Sequence, residues 1–132
     1  MRPLPVRLRP QQDLRGALET LLSEHKASAA FVLQGIGSLG VAWIRFAGMS
    51  EPTRLRGDME ILTLSGSLSH DGAHLHMTVA DAQGRVLGGH VGHGCIVRTT
   101  AEILVALLPE HRFSRAPDPE SGCNELVIRP LS

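Results

Sequence analysis

Ser67-Leu68-Ser69-His70-Asp71-Gly72-Ala73-His74-Leu75-His76-Met77-Thr78-Val79-Ala80-Asp81-Ala82-Gln83-Gly84-Arg85-Val86-Leu87-Gly88-Gly89-His90-Val91 contains two turn signals, and together they align three strands. Asp71-Gly72 is a two-residue hairpin signal that sets His70 opposite Ala73. This register pairs Leu68 with Leu75, Gly66 with Met77 and Leu64 with Val79 on one face. On the other face Ser69 meets His74 and Ser67 meets His76. The second loop, Ala82-Gln83-Gly84, suits a three-residue hairpin ending in a left-handed glycine, with Asp81 opposite Arg85. Val79 then faces Leu87, Leu75 faces Val91, and His76 falls directly opposite His90. A four-residue loop flips His90 to the other face and mixes charged with apolar side chains, so the hydrophobic pattern selects the first register.

The resulting meander has two unlike faces. One carries Leu62, Leu64, Leu68, Leu75, Met77, Val79, Leu87 and Val91; the other carries Thr63, Ser65, Ser67, His74, His76, Thr78 and His90. Directly opposed Cβ atoms lie about 5 Å apart and i, i+2 neighbours about 7 Å apart, so three imidazoles can converge on one ion. Single exposed histidines are ordinary on a solvated strand face; three on one face make a metal site a reading of equal standing. Three neutral imidazoles with an open position resemble a catalytic or substrate-binding site more than a closed structural one. Zinc is the default metal, and Fe(II), Ni(II) and Cu(II) accept the same ligands. Gly88 and Gly89 beside His90 are read as leaving room for an ion, a water or a substrate. His93, three residues on, is a candidate fourth ligand or a plain loop histidine.

Outward from this centre, Leu4, Val6 and Leu8 alternate with Arg7 and Arg9 as a short strand. Asp13 is the expected N-cap of a helix whose apolar face is Leu14, Ala17, Leu18, Leu21 and Leu22. Strands are expected at residues 29–34 and 41–46, joined by a turn through Gly35-Ile36-Gly37-Ser38-Leu39-Gly40. That segment fits G-x-G-x-x-G, but no helix opens at its third glycine, so it is not a dinucleotide site. Thr99 and Glu102 fit a capping box, predicting a second helix with Ile103, Leu104, Leu107 and Leu108 buried and Pro109 at its end. Strands near residues 112–115 and 124–129 close the chain. The expected fold is α+β, a largely antiparallel sheet of about seven strands with flanking helices, in a single domain over residues 1–132.

Parity places Glu60 on the apolar face with Leu62 and Leu64. A carboxylate there needs a partner. It is either a strand-start residue bonded to an arginine or a buried ion pair or general acid/base at a subunit contact. Cys95 reads as a small buried residue rather than a nucleophile, because no orienting third group can be assigned to it.

Composition narrows the function. Thirteen Lys+Arg balance thirteen Asp+Glu, so the chain lacks the basic excess that phosphate-driven nucleic-acid binding needs. Aromatics are 3%, too few for a base-stacking platform. Apolar residues are 42%, enough for one buried core in 132 residues. The apolar run at residues 103–108 is far short of the ~20 a membrane span needs, and the Arg-rich start does not read as a signal peptide. Two cysteines without a shared motif suit a reduced, cytoplasmic setting.

Gly35-Ile36-Gly37-Ser38-Leu39, Gly57-Asp58-Met59-Glu60-Ile61-Leu62, His74-Leu75-His76 and Gly88-Gly89-His90 occur in that order. Together they resemble the plant-and-prokaryote conserved (PPC) domain of AT-hook nuclear proteins, in its stand-alone prokaryotic form, over about Val6 to Ile128. The resemblance implies a seven-stranded sheet with flanking helices, assembled as a homotrimer. It implies self-association and contacts with transcription factors in plant relatives. Its Gly-Arg-Phe-Glu-Ile-Leu element matches Gly57, Glu60, Ile61 and Leu62 and departs at Asp58 and Met59. Its histidines fall on His74, His76 and His90. No Arg-Gly-Arg-Pro AT-hook is present, so specific DNA binding by this domain alone is not expected.

Two functions follow as expectations. In the first, a homotrimer carries a three-His site for a divalent metal, zinc by default, and binds or acts on a small-molecule ligand, with Glu60 a possible acid/base. In the second, the domain is a regulatory or DNA-associated interaction module whose histidines are structural.

Overall fold

The computed structural model describes residues 1–131; Ser132, the last residue of the expected domain, lies outside the described residues. The chain runs β1 (Arg2–Leu8), α1 (Leu14–Glu19), α2 (Leu21–Glu24), β2 (Ala30–Arg45), β3 (Thr53–Ser69), β4 (Gly72–Ala80), β5 (Val86–Val91), β6 (Ile96–Leu107), β7 (His111–Pro117) and β8 (Asn124–Pro130). Six strands form an antiparallel sheet in the order β1-β6-β2-β3-β4-β5, and β7 and β8 pair separately. β2 also pairs with β5, Ile44 with Val91 and Arg45 with His90. Strands β2, β3, β4 and β5 therefore close a ring.

The expected helix forms as two short ones, α1 and α2, with the break at Thr20, and Leu21 and Leu22 lie on α2. Asp13 caps α1 by accepting a hydrogen bond from the Gly16 amide, and Leu14 and Leu18 of α1 and Leu22 of α2 are buried in the core. The core continues through Val32, Leu39, Ile44, Leu64, Leu68, Leu75, Val79, Val91, Val97 and Val105.

The second expected helix is not there. Residues 99–107 belong to β6, held between β1 and β2. Ala101, Ile103 and Val105 are buried while Glu102 and Leu104 are exposed, which is a period of two. Ile103 and Leu107 fit either template over so short a run, while Leu104, expected inside, falls on the outer face of the strand. Backbone pairing on both sides and the β-branched run Ile96, Val97, Thr99, Thr100, Ile103 and Val105 decide for strand.

The glycine segment is not a turn either. β2 is one strand running through Gly35-Ile36-Gly37-Ser38-Leu39-Gly40, with register shifts against β6 just before, within and at the end of that segment. A Cβ on Gly37 would stand 2.4 Å from the Thr100 carbonyl oxygen, so glycine is there because β2 and β6 meet closely. The two predicted strands are therefore one bulged strand, and the absence of a helix after the third glycine still excludes a dinucleotide site.

The β4–β5 register is as expected: His76 faces His90, Val79 faces Leu87, and the Asp81 amide donates to the Arg85 carbonyl at 2.9 Å across a loop closed by Gly84. The β3–β4 register is two residues away from expectation. Ser69 pairs with Gly72, Ser67 with His74 and Ser65 with His76, so the loop residues are His70 and Asp71. Ser69 Oγ accepts from the Asp71 amide and donates to the Gly72 carbonyl, each at 3.1 Å, and so closes the turn one residue earlier. A shift of two leaves every side chain on its expected face.

A bulge at Leu62 ends that agreement. Thr63 faces Thr78, but Ile61 faces Val79 and Glu60 faces Ala80. The extra residue carries Glu60 to the polar face, exposed, and puts Met59 and Ile61 into the core. Glu60 is therefore not a carboxylate on the apolar face, and the buried ion pair or acid/base role drawn from that placement has no support. Leu62 and Leu87, expected inside, are exposed.

Candidate metal centre

His74 and His76 stand two residues apart on β4 and project from the polar face; His90 on β5 projects beside them, opposite His76. The ring centroids are 5.0 Å apart for His74 and His76, 5.2 Å for His74 and His90, and 4.3 Å for His76 and His90. One ring nitrogen from each lies within 4.8 Å of the other two. His74 and His90 are half-buried and His76 is exposed.

The surroundings favour the neutral imidazole. His74 is held below the usual histidine value first by burial, then by the positive charge of Arg115 and by His76, with Glu125 opposing. His90 is lowered by burial, then by Arg45 and the two other histidines. A neutral ring offers the lone pair that a metal takes up. The donor set therefore fits a divalent ion of the zinc type, with imidazole nitrogens only.

His93 does not join this group. Its Nε2 lies 2.6 Å from Glu19 Oε1 on the first helix. Glu19 also accepts from the Ala73 amide at 3.0 Å and from Arg15 Nε at 3.3 Å, tying helix, β4 and the 92–95 loop together. Cys95 is buried and its thiol is pushed up to about 11 by burial, so it is not a nucleophile at neutral pH.

Gly88 and Gly89 do not make space for a ligand. A Cβ on Gly88 would meet the Met77 carbonyl oxygen at 2.8 Å, and one on Gly89 the Arg45 carbonyl oxygen at 2.5 Å. They are glycines because β5 is squeezed between β4 and β2. The space lies instead in front of the histidines, in an open cleft of about 860 Å³.

The walls of that cleft include Arg15 from α1, Arg45 from the end of β2, and Arg115 from β7. Sequence reading did not find them. They come from three distant elements, which the β2–β5 pairing, the docking of α1 and the β7–β8 hairpin bring to the site. The hairpin is fixed by Phe113 against Phe31, ring centroids 5.6 Å apart and edge-on, and by the Arg115 amide donating to Asp71 Oδ2 at 2.9 Å.

A closed ring of antiparallel strands with a histidine triad on its polar face defines a small β-rich domain built around a candidate metal centre. Residues 1–109 match the Plants and Prokaryotes Conserved (PCC) domain, and the chain belongs to that family. It is 51% identical over 128 residues to the bifunctional protein GlmU of Synechococcus sp. (strain JA-2-3B'a(2-13)), covering 97% of this chain and 20% of that protein. The chain thus spans about a fifth of the length of the curated relatives it matches. Among solved structures, a hypothetical protein from Salmonella cholerae-suis is 39% identical with a TM-score of 0.94, covering 98% of this chain and 94% of that one. A protein from Bacteroides thetaiotaomicron put forward as DNA-binding is 26% identical with a TM-score of 0.82, over 95% and 91% of the two chains. A metal-containing protein from Archaeoglobus fulgidus is 27% identical with a TM-score of 0.79, over 96% and 94%.

Proposed function

We propose that this chain is a metal-binding PCC domain in which His74, His76 and His90 hold one divalent ion, zinc by default, beside a cleft that takes a small-molecule ligand. The observation that carries the reading is the convergence of three imidazole nitrogens within 4.8 Å of one another at the mouth of the cleft. The metal-containing Archaeoglobus relative supports it. A divalent ion on three neutral imidazoles keeps a position for a further ligand and supplies Lewis-acid polarisation there. The chain's own contribution is to orient the three rings on two rigid strands and to wall the site with the β7–β8 hairpin. Metal analysis of protein purified without a polyhistidine tag tests the reading.

The domain works as a homotrimer in this proposal. Leu33, Ile36 and Leu104 are between 41% and 51% exposed on neighbouring strands β2 and β6, where Gln34 pairs with Leu104. Beside them Pro5, Val6 and Ile103 line an apolar groove of about 570 Å³. A contiguous exposed apolar face of this kind marks an association surface, and a second copy of the chain is its occupant. A cytoplasmic setting suits the free thiols of Cys95 and Cys123. Among the described residues no helix is long and apolar enough to cross a membrane.

A further inference from the structure

The charges around the histidine cleft do not cancel, and the two arginines nearest the triad have donors to spare. Arg45 pairs with His90 across β2 and β5, on one side of the triad. Arg115 reaches in from β7, on the side of His74. The Arg45 guanidinium donates through Nη1 to the Met49 carbonyl at 3.1 Å, and among the described residues no carboxylate lies within 4.0 Å of it. The Arg115 side chain, 17% exposed, donates through Nη2 to the Asn124 carbonyl at 3.0 Å and meets Glu125 only at 4.0 Å. Arg15, by contrast, is committed, to Glu19 at 3.3 Å and to the Val91 carbonyl at 2.9 Å. The only carboxylates on the wall are Glu125, 43% exposed, and Asp71, which already accepts the Arg115 amide.

A guanidinium carries five N–H donors, so Arg45 and Arg115 each keep several unused. Partly buried arginines that no carboxylate approaches closer than 4.0 Å, lining one cleft on both sides of the triad, match an oxyanion better than a neutral ligand. We infer that the ligand of this cleft is a small molecule carrying an oxyanion group, carboxylate or phosphate, gripped by Arg45 and Arg115 beside the histidine triad. The inference deepens the metal-site reading and rests on it for the ligand's position. The arginine grip itself is separately measurable.

The test uses calorimetric titration of the zinc-loaded chain with inorganic phosphate, with succinate, and with the neutral isostere succinamide, with zinc content measured on every sample. Phosphate or succinate binds, succinamide does not, and whichever anion binds more tightly names the group. Arg45→Gln and Arg115→Gln each weaken that anion about tenfold or more, the range expected for charge-assisted hydrogen bonds. Zinc content stays at the wild-type level. Arg45 lies at the end of β2, so its variant carries the test if Arg115→Gln folds poorly; Arg115→Lys, which keeps the charge, then retains part of the binding. No binding of either anion, equal binding by wild type and Arg45→Gln, or succinamide binding as tightly as succinate overturns the inference while leaving zinc untouched. Absence of zinc from the wild-type protein overturns the metal reading instead. The same titrations on the metal-free chain then judge the arginine grip: loss of anion binding in Arg45→Gln supports it, and no such loss overturns it.

Discussion

His76 and His90 face each other across the β4–β5 pair with ring centroids 4.3 Å apart. Their opposition is set by the Asp81–Arg85 loop, whose closing hydrogen bond and left-handed Gly84 hold the strands in one register. His74 completes the triad because it lies two residues along β4, on the same face. The site is thus built on rigid strands rather than on loops, which suits a preorganised metal centre.

Gly89→Ala tests how tightly β5 is clamped. The added methyl would start 2.5 Å from the Arg45 carbonyl oxygen, which is backbone and cannot step aside. The variant should lose about 1–3 kcal/mol of stability, as overpacked sites do. Urea unfolding reads the loss; unchanged stability would show that β5 and β2 are less tightly joined than described.

Glu19→Ala tests the hub that ties α1 to β4 and the His93 loop. Losing the acceptor for the Ala73 amide, with Arg15 and His93 deprived of their carboxylate partner, should cost about 1–3 kcal/mol at neutral pH. Burial raises the Glu19 carboxyl, but the Ala73 amide, His93 and Arg15 together outweigh it and hold the group below 4.5. A depressed folded-state value means the stabilisation is full above pH 4.5 and fades as pH falls through the folded-state value. The gap between wild type and variant in urea midpoints should therefore shrink on acidification. A gap that stays constant, or widens, would contradict the assignment.

Much of this could be read beforehand because turn chemistry and period-two patterning agreed around residues 81–85. The triad is insensitive to the two-residue difference at Ser69-Gly72, since a slip of two keeps parity. The bulge at Leu62 has no local sequence signal, so simple alternation assigns Glu60 to the apolar face. Residues 99–107 read as helix from sequence because a short apolar run suits both periods until its neighbouring strands are known. Arg15, Arg45 and Arg115 were invisible as a group, because only tertiary closure gathers them.

Leu104→Glu tests the assembly. Leu104 is 41% exposed beside the apolar groove, so a charge there should disrupt a trimer without unfolding the chain. Sedimentation equilibrium should show trimers for the wild type and smaller species for the variant. A monomeric wild type at micromolar concentration would contradict the proposal.

Duplex DNA should bind this domain weakly and without sequence preference. Its thirteen basic residues are matched by thirteen acidic ones, whereas neutralising six or more phosphates needs a clustered basic surface. Fluorescence anisotropy with AT-rich and GC-rich duplexes at physiological salt should give affinities no tighter than ~1 μM. Nanomolar, sequence-dependent binding would favour the regulatory reading instead.

Elemental analysis of the untagged protein, side by side with His76→Ala, decides whether the histidine triad holds a metal. The wild type should carry about one divalent metal per chain, and His76→Ala, with an unchanged circular dichroism spectrum, at least about tenfold less. A wild type without metal, or a variant that keeps the full complement, would contradict the assignment of His74, His76 and His90 as a metal centre.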